Sequence, residues 1–188
     1  GGSGAAGRAM IRAFVALSLP EPVLDALAAL QQGMPAPRVV PVENLHLTLA
    51  FLGEVDETAL EEAHHAFQRI AAPGFDLRLS GLGMFGGARP RALYAGVVES
   101  APLRHLQGKV ETAARNAGIA IDARRFVPHV TLARLNAARL DKPRMAHFMA
   151  GRMGFSSPAM TVTDFRLLRS HLGPSGASYD ELARYPLQ

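Results

Sequence analysis

The sequence predicts an α+β fold built on antiparallel sheets. Three observations predict it. Several short stretches alternate apolar and polar residues with a period of two, the mark of a strand with one buried face. Between them lie stretches with apolar residues at helical spacing. Some predicted strands follow one another across glycine turns with no helix between, which favours hairpins over a doubly wound parallel sheet. A short pattern also recurs: His46-Leu47-Thr48-Leu49-Ala50 in the first half and His129-Val130-Thr131-Leu132-Ala133 in the second. With 7 histidines and 6 threonines in 188 residues, only about 0.2 His-x-Thr pairs are expected by chance, so the repeat points to a duplicated plan.

The elements follow in order. Ile11–Leu19 is an apolar run ended by Pro20, a strand. Glu21–Gln32 carries Val23, Leu24, Leu27 and Leu30 on one face, Pro22 in its first turn and Gly33 as its stop, a helix. Met34–Pro41 is extended. The first motif strand comes next, with Gly53 as its expected end. Asp56 is the expected N-cap of a helix striped by Leu60, Ala63, Phe67 and Ile70, broken by Pro73-Gly74. Phe75–Leu82 and Ala92–Val98 read as strands around a Gly86-Gly87 turn. Pro102 opens a helix with Leu103, Leu106, Val110, Ala113 and Ala117 on one face, stopped by Gly118. An extended stretch through Phe126 and Pro128 leads into the second motif strand. Residues 137–154 read as a short helix and loop, and Met160–Arg169 and Ser178–Leu187 as closing strands.

Composition narrows the class. Nearly half the residues are apolar, enough for a sizeable core. There is no cysteine, hence no disulfide, thiolate metal site or cysteine nucleophile, which is compatible with a reducing, cytoplasmic location. No apolar run approaches the ~20 residues of a membrane span. The net charge is +4, and of the basic residues only Lys109 and Lys142 are lysines. Arginine offers a planar fork suited to phosphate, and the basic balance permits a nucleic-acid ligand. Residues 1–8 read as a disordered lead or an expression scar, leaving 9–188 as a single domain of two related lobes.

Within each motif, residues i and i+2 of a strand point the same way. His46 and Thr48 therefore share one face, as do His129 and Thr131, while Leu47, Leu49, Val130 and Leu132 anchor the other. A duplicated unit sets the two faces across a shared groove. Two imidazoles can serve as acid and base at one pH near neutrality, and two hydroxyls can hold the charge of a phosphoryl group. By the same alternation Phe51 opposes His46 and is expected in the core. Arg134, five residues after His129, falls on the opposite face from it unless a bulge or the strand end intervenes. Gly81-Leu82-Gly83-Met84-Phe85-Gly86 matches a dinucleotide fingerprint only in letters, because no helix begins there. His64-His65 lacks further ligands at i+3 or i+4 and reads as surface; His105, His147 and His171 have no evident partners. No cluster of carboxylates and histidines offers a metal site.

Asn44-Leu45-His46-Leu47-Thr48-Leu49-Ala50-Phe51-Leu52-Gly53 and Pro128-His129-Val130-Thr131-Leu132 resemble the 2H phosphoesterase superfamily. Among its members the chain is most similar to the RNA 2′,3′-cyclic phosphodiesterases, long labelled 2′-5′ RNA ligases. Arg89-Pro90-Arg91, Arg124-x-Phe126-x-Pro128 and the Tyr179–Leu187 tail extend the likeness; Arg125 and Tyr94 depart from it. The resemblance implies a two-lobed fold whose antiparallel sheets line a central cleft with helices outside, and metal-independent chemistry with no cofactor. It implies RNA ends or small cyclic nucleotides as partners, with no obligate protein partner. It makes His46 the proton donor to the leaving 3′ oxygen and His129 the group that activates water, an order the residues themselves leave open. Thr48 and Thr131 bind phosphate, and Arg134 and Arg124 are candidate substrate contacts. End-joining to a 2′-5′ linkage at the same histidines, or RNA binding without catalysis, are the alternative readings.

Overall fold

A computed structural model describes residues 9–122 and 124–188; the expected lead at 1–8 lies outside the described residues. Ten strands and four helices follow one another as β1 (Met10–Leu17), α1 (Glu21–Gln31), β2 (Arg38–Val39), β3 (Leu47–Asp56), α2 (Glu57–Gln68), β4 (Phe75–Leu77), β5 (Leu79–Phe85), β6 (Ala92–Val97), α3 (Ala101–Asn116), β7 (His129–Arg134), α4 (Lys142–Ala150), β8 (Met160–Val162), β9 (Asp164–Gly173) and β10 (Gly176–Pro186). Two four-stranded antiparallel sheets carry the fold, in the orders β10-β9-β1-β3 and β2-β7-β6-β5; β4 and β8 form a small third sheet. The α+β class with antiparallel sheets is thus realised, with one His-x-Thr motif in each main sheet.

The helices begin where the sequence provides oxygen acceptors for their free N–H groups. Asp56 accepts from Ala59 N at 2.7 Å, Ser100 from Leu103 N at 3.2 Å and Asp141 from Arg144 N at 3.1 Å. Gly33 and Gly118 end α1 and α3 with φ near 74° and 85°, a backbone region that glycine enters without a Cβ penalty. The expected stripes are the buried ones: Val23, Leu27 and Leu30 on α1, Leu60, Ala63 and Phe67 on α2, and Leu103, Leu106, Val110 and Ala113 on α3. They meet Leu47, Leu49, Val130 and Leu132, each at most 2% exposed, in one continuous core.

Five expectations need correction. Gly53 does not end the first motif strand: β3 continues to Asp56 beside β1, with Glu54 opposite Arg12 and Val55 opposite Ile11. Phe75–Leu82 is not one strand, because β4 leaves to pair with β8 while β5 pairs with β6; Met160–Arg169 divides for the same reason into β8 and β9. His171 is not without a partner, since its Nε2 meets Asp180 at 2.6 Å across the β9–β10 hairpin. Phe51 is not in the core but 51% exposed.

The last correction has a specific cause. Opposite β1, Ala16 pairs with Thr48 and Val15 with Ala50, so Leu49 is an extra residue, a β-bulge. Leu49 and Ala50 are consequently buried in succession, and Phe51 turns out onto the face of His46 and Thr48. β7 repeats the device. Tyr94 pairs with Thr131 and Leu93 with Ala133, leaving Leu132 extra; Leu132 and Ala133 are buried in succession and Arg134 joins the face of His129 and Thr131. Each bulge carbonyl receives a glutamine from a helix. Gln107 Nε2 of α3 donates to Leu49 O at 3.3 Å. Gln31 Nε2 of α1 donates to Leu132 O at 3.0 Å and to Val40 O at 2.9 Å.

Candidate active site

Two imidazoles are held in the same way. His46 Nδ1 lies 2.7 Å from Asn44 O, and His129 Nδ1 lies 2.7 Å from Val127 O. A carbonyl only accepts, so each neutral ring carries its proton on Nδ1 and leaves Nε2 unprotonated. The carbonyl two residues back comes to hand because each ring stands at the start of its motif strand. Asn44 is itself anchored, its Nδ2 donating to Ala177 O of β10 at 2.9 Å. On the other side, Arg104 Nη1 of α3 donates to Phe126 O at 3.2 Å, fixing the segment before Val127.

Each imidazole is walled by a pair of aromatic rings. Phe14 lies 4.9 Å and Tyr179 5.3 Å from the His46 ring, centroid to centroid, and contact each other at 5.1 Å. Phe85 lies 4.7 Å and Tyr94 5.6 Å from the His129 ring, and stack on each other at 4.3 Å. Tyr94 can lie flat because Gly83 opposite it has no side chain: a Cβ there would overlap Cζ and Oη of the ring and stand 2.9 Å from its Cε2. Beyond Phe14, Phe51 stacks at 6.1 Å, and the Arg12 guanidinium covers Phe51 at 5.2 Å.

Burial lowers the pKa of His46, opposed by its hydrogen bond to Asn44 and reinforced by the charges of His129 and Arg134. His129 is lowered by burial too, opposed by the Val127 hydrogen bond and reinforced by Arg134. Desolvation disfavours the cation, and neighbouring cations add to it. Both rings therefore favour the neutral form. Through these charges His46 of one sheet is coupled to His129 and Arg134 of the other.

Of the residues picked from sequence, His46, Thr48, His129, Thr131 and Arg134 share the site faces. Thr48 and Thr131 are half-buried two residues along from each imidazole. Arg124 is turned to solvent, where it meets Asp122 at 2.9 Å; no described contact joins it to either imidazole. Sequence reasoning passed over Phe14, Phe85, Gly83 and Arg12, and placed Phe51 wrongly. Local pattern offers no signal for the first four, because each reaches the site from β1 or β5 and not from a motif strand. Among the described residues, no group of three or more His, Cys, Asp or Glu is placed to hold a metal ion, and no helix is long and apolar enough to cross a membrane.

Residues 19–174 match the 2′-5′ RNA ligase superfamily. The chain belongs to that family. Among curated members, it is similar to the RNA 2′,3′-cyclic phosphodiesterase of Archaeoglobus fulgidus, with 30% identity covering 92% of this chain and 98% of that one. The enzyme of the same name from Thermus thermophilus is 35% identical, covering 95% and 91%. Among solved structures, Escherichia coli LigT complexed with 3′-AMP superposes with a TM-score of 0.80 at 27% identity, covering 96% of this chain and 99% of that one. The chain thus spans nearly the whole length of these three proteins.

Proposed function

We propose that residues 9–188 act as one domain of two lobes that opens 2′,3′-cyclic phosphate ends of RNA, or of small cyclic nucleotides, to 2′-phosphomonoesters without a metal ion. The observation that carries this reading is the matched anchoring of His46 and His129. With Nδ1 of each ring committed to a carbonyl, Nε2 of each is left to move a proton in the shared space. Opening the ring needs a base on one side of phosphorus and an acid on the other, roughly in line. His129 takes a proton from water, and the oxygen so generated attacks phosphorus. The bond from phosphorus to the 3′ oxygen breaks, and His46, protonated at Nε2, delivers its proton to that oxygen. The product is a 2′-phosphate beside a free 3′ hydroxyl.

The charge balance suits these roles. Burial depresses the pKa of His46, and a cyclic phosphate anion set beside it raises that value again, so substrate recruits the acid form. Thr48 and Thr131 donate hydroxyl hydrogen bonds to the non-bridging oxygens, and Arg134 adds positive charge. Phe51, exposed on the His46 face, offers its ring as a stacking surface for the terminal base. The names of the curated relatives and the 3′-AMP held by LigT support a nucleotide end as the substrate class.

The test is incubation with an RNA oligonucleotide ending in 2′,3′-cyclic phosphate in excess EDTA, followed by mapping of the end formed. A 2′-phosphate at undiminished rate is the expected outcome. Turnover lost in EDTA and restored by a divalent cation removes the two-histidine mechanism, and a new 2′-5′ linkage to an added 5′-hydroxyl strand makes end-joining the activity.

A further inference from the structure

Arg38 and Arg134 form a direct cross-strand pair at the β2–β7 edge. Residues directly opposite on paired strands project from the same face, and like charges there destabilise the sheet. None of the ion pairs among the described residues involves either arginine, and Arg38 is exposed. The arrangement is nevertheless firmly built. β2 is only two residues long, yet Val40 N donates to Leu132 O at 2.8 Å, and Gln31, one of two buried polar side chains, clamps Val40 O and Leu132 O from beneath. The bulge at Leu132 is what brings Arg134, and with it Arg38, onto the face of Thr131. A rigid edge that holds two uncompensated guanidiniums side by side is a receptor for an anion.

We infer that Arg38 and Arg134 together bind a second phosphate of the substrate, the internucleotide phosphate next to the cyclic end, so that the enzyme prefers RNA chains to mononucleotides. The inference rests on the reading that the cyclic phosphate sits between His46 and His129. Arg38 lies one strand further out than β7, about 4.8 Å, and three residues along from Thr131, roughly 10 Å. At that offset it meets the neighbouring phosphate and not the reacting one. Arg134, between the two positions, acts on the imidazoles and on the incoming chain alike.

The experiment compares wild type, Arg38→Ala, Arg38→Lys and a control, Arg144→Ala on exposed α4. kcat/KM is measured on adenosine 2′,3′-cyclic phosphate and on a trinucleotide ending in 2′,3′-cyclic phosphate. Binding of an RNA oligonucleotide ending in 2′-phosphate is followed by fluorescence anisotropy across a salt series, and melts check folding. Wild type should favour the trinucleotide by about tenfold or more. Arg38→Ala should abolish that preference through KM, leave the mononucleotide within about twofold, and reduce the slope of log affinity against log salt by about 0.7–1, the loss of one phosphate contact. Arg38→Lys should retain the salt slope and part of the preference, and Arg144→Ala should behave as wild type. Equal losses on both substrates, or no loss on either, overturn the second subsite. If wild type turns over neither substrate, the hydrolytic reading falls by itself. The subsite then stands or falls on whether Arg38→Ala lowers the salt slope.

Discussion

Replacing Gln31 with methionine removes the clamp under the second bulge while nearly conserving volume. Two neutral hydrogen bonds disappear, to Leu132 O and to Val40 O. Each such bond contributes about 0.5–1.5 kcal/mol net, and a buried carbonyl left without a partner raises the cost. Leu132 O keeps Val40 N at 2.8 Å, so only Val40 O is stranded, which sets the expected loss at about 2 kcal/mol. For a chain of this size that corresponds to a fall in Tm of about 4–8 °C. Gln107→Met removes two bonds, a longer one to Leu49 O at 3.3 Å and one to Glu111 at 2.8 Å; both are only part-buried and Glu111 keeps Arg115 at 2.7 Å, so the loss should be about 1–2 kcal/mol. The assay is thermal unfolding of both variants with kcat/KM on a cyclic-phosphate trinucleotide alongside. Gln31→Met should also raise KM several-fold, because the edge carrying Arg38 and Arg134 loosens. A Tm within 1 °C of wild type, or a larger loss in Gln107→Met than in Gln31→Met, refutes the idea that the glutamine stabilises the bulge.

Three further outcomes are expected. His46→Ala and His129→Ala should each lower turnover by about 10²–10⁴-fold with melts little changed, and the double variant should lose less than the product of the two; near-wild-type rates in either single variant would remove the acid–base assignment. Because burial lowers both imidazoles below the 6.5 of free histidine, the unfolded chain takes up protons before the folded one as pH falls. Stability should therefore be complete above about pH 6.5, decline as pH falls from there through the folded values, and decline less in His46→Asn/His129→Asn, as urea midpoints from pH 7.5 to 5 will show. Gly83→Ala should push the Tyr94 ring by about 1 Å, cost about 1–3 kcal/mol of stability and lower kcat. The stability cost should largely vanish in a Tyr94→Ala background, so an additive cycle would show that the ring does not rest on Gly83.

Local pattern disclosed a good part of this molecule. Helix stripes and caps are written in adjacent letters, as Asp56 and Ser100 illustrate, and period-two alternation correctly set His46 beside Thr48 and His129 beside Thr131. Alternation fails where a residue is added to one strand only. Leu49 and Leu132 look like any other inward apolar residue, and nothing in their identity marks a bulge, so Phe51 was assigned to the core. The signals that stabilise the bulges lie far away in the chain: Gln107 is 58 residues from Leu49 and Gln31 is 101 from Leu132. The aromatic walls are equally non-local, since Tyr179 reaches His46 from β10 and Phe85 reaches His129 from β5. The split of Phe75–Leu82 and of Met160–Arg169 also depended on partners, because β4 and β8 find each other across more than eighty residues of chain.

The matched carbonyl anchors have a consequence for the direction of reaction. Two rings with the same tautomer, the same kind of backbone acceptor and the same aromatic flanking are chemically exchangeable parts. Their tautomers alone do not assign donor and acceptor, so under the proposed hydrolysis the way the nucleotide lies against them also fixes the polarity of cleavage. On that reading, the two unlike residues that the bulges expose, a phenyl ring at 51 and a guanidinium at 134, should set the orientation. Regiochemistry is then a property of the recognition surface. Exchanging Phe51 and Arg134 should turn the nucleotide end for end and shift the product from a 2′-phosphate toward a 3′-phosphate, with both histidines untouched.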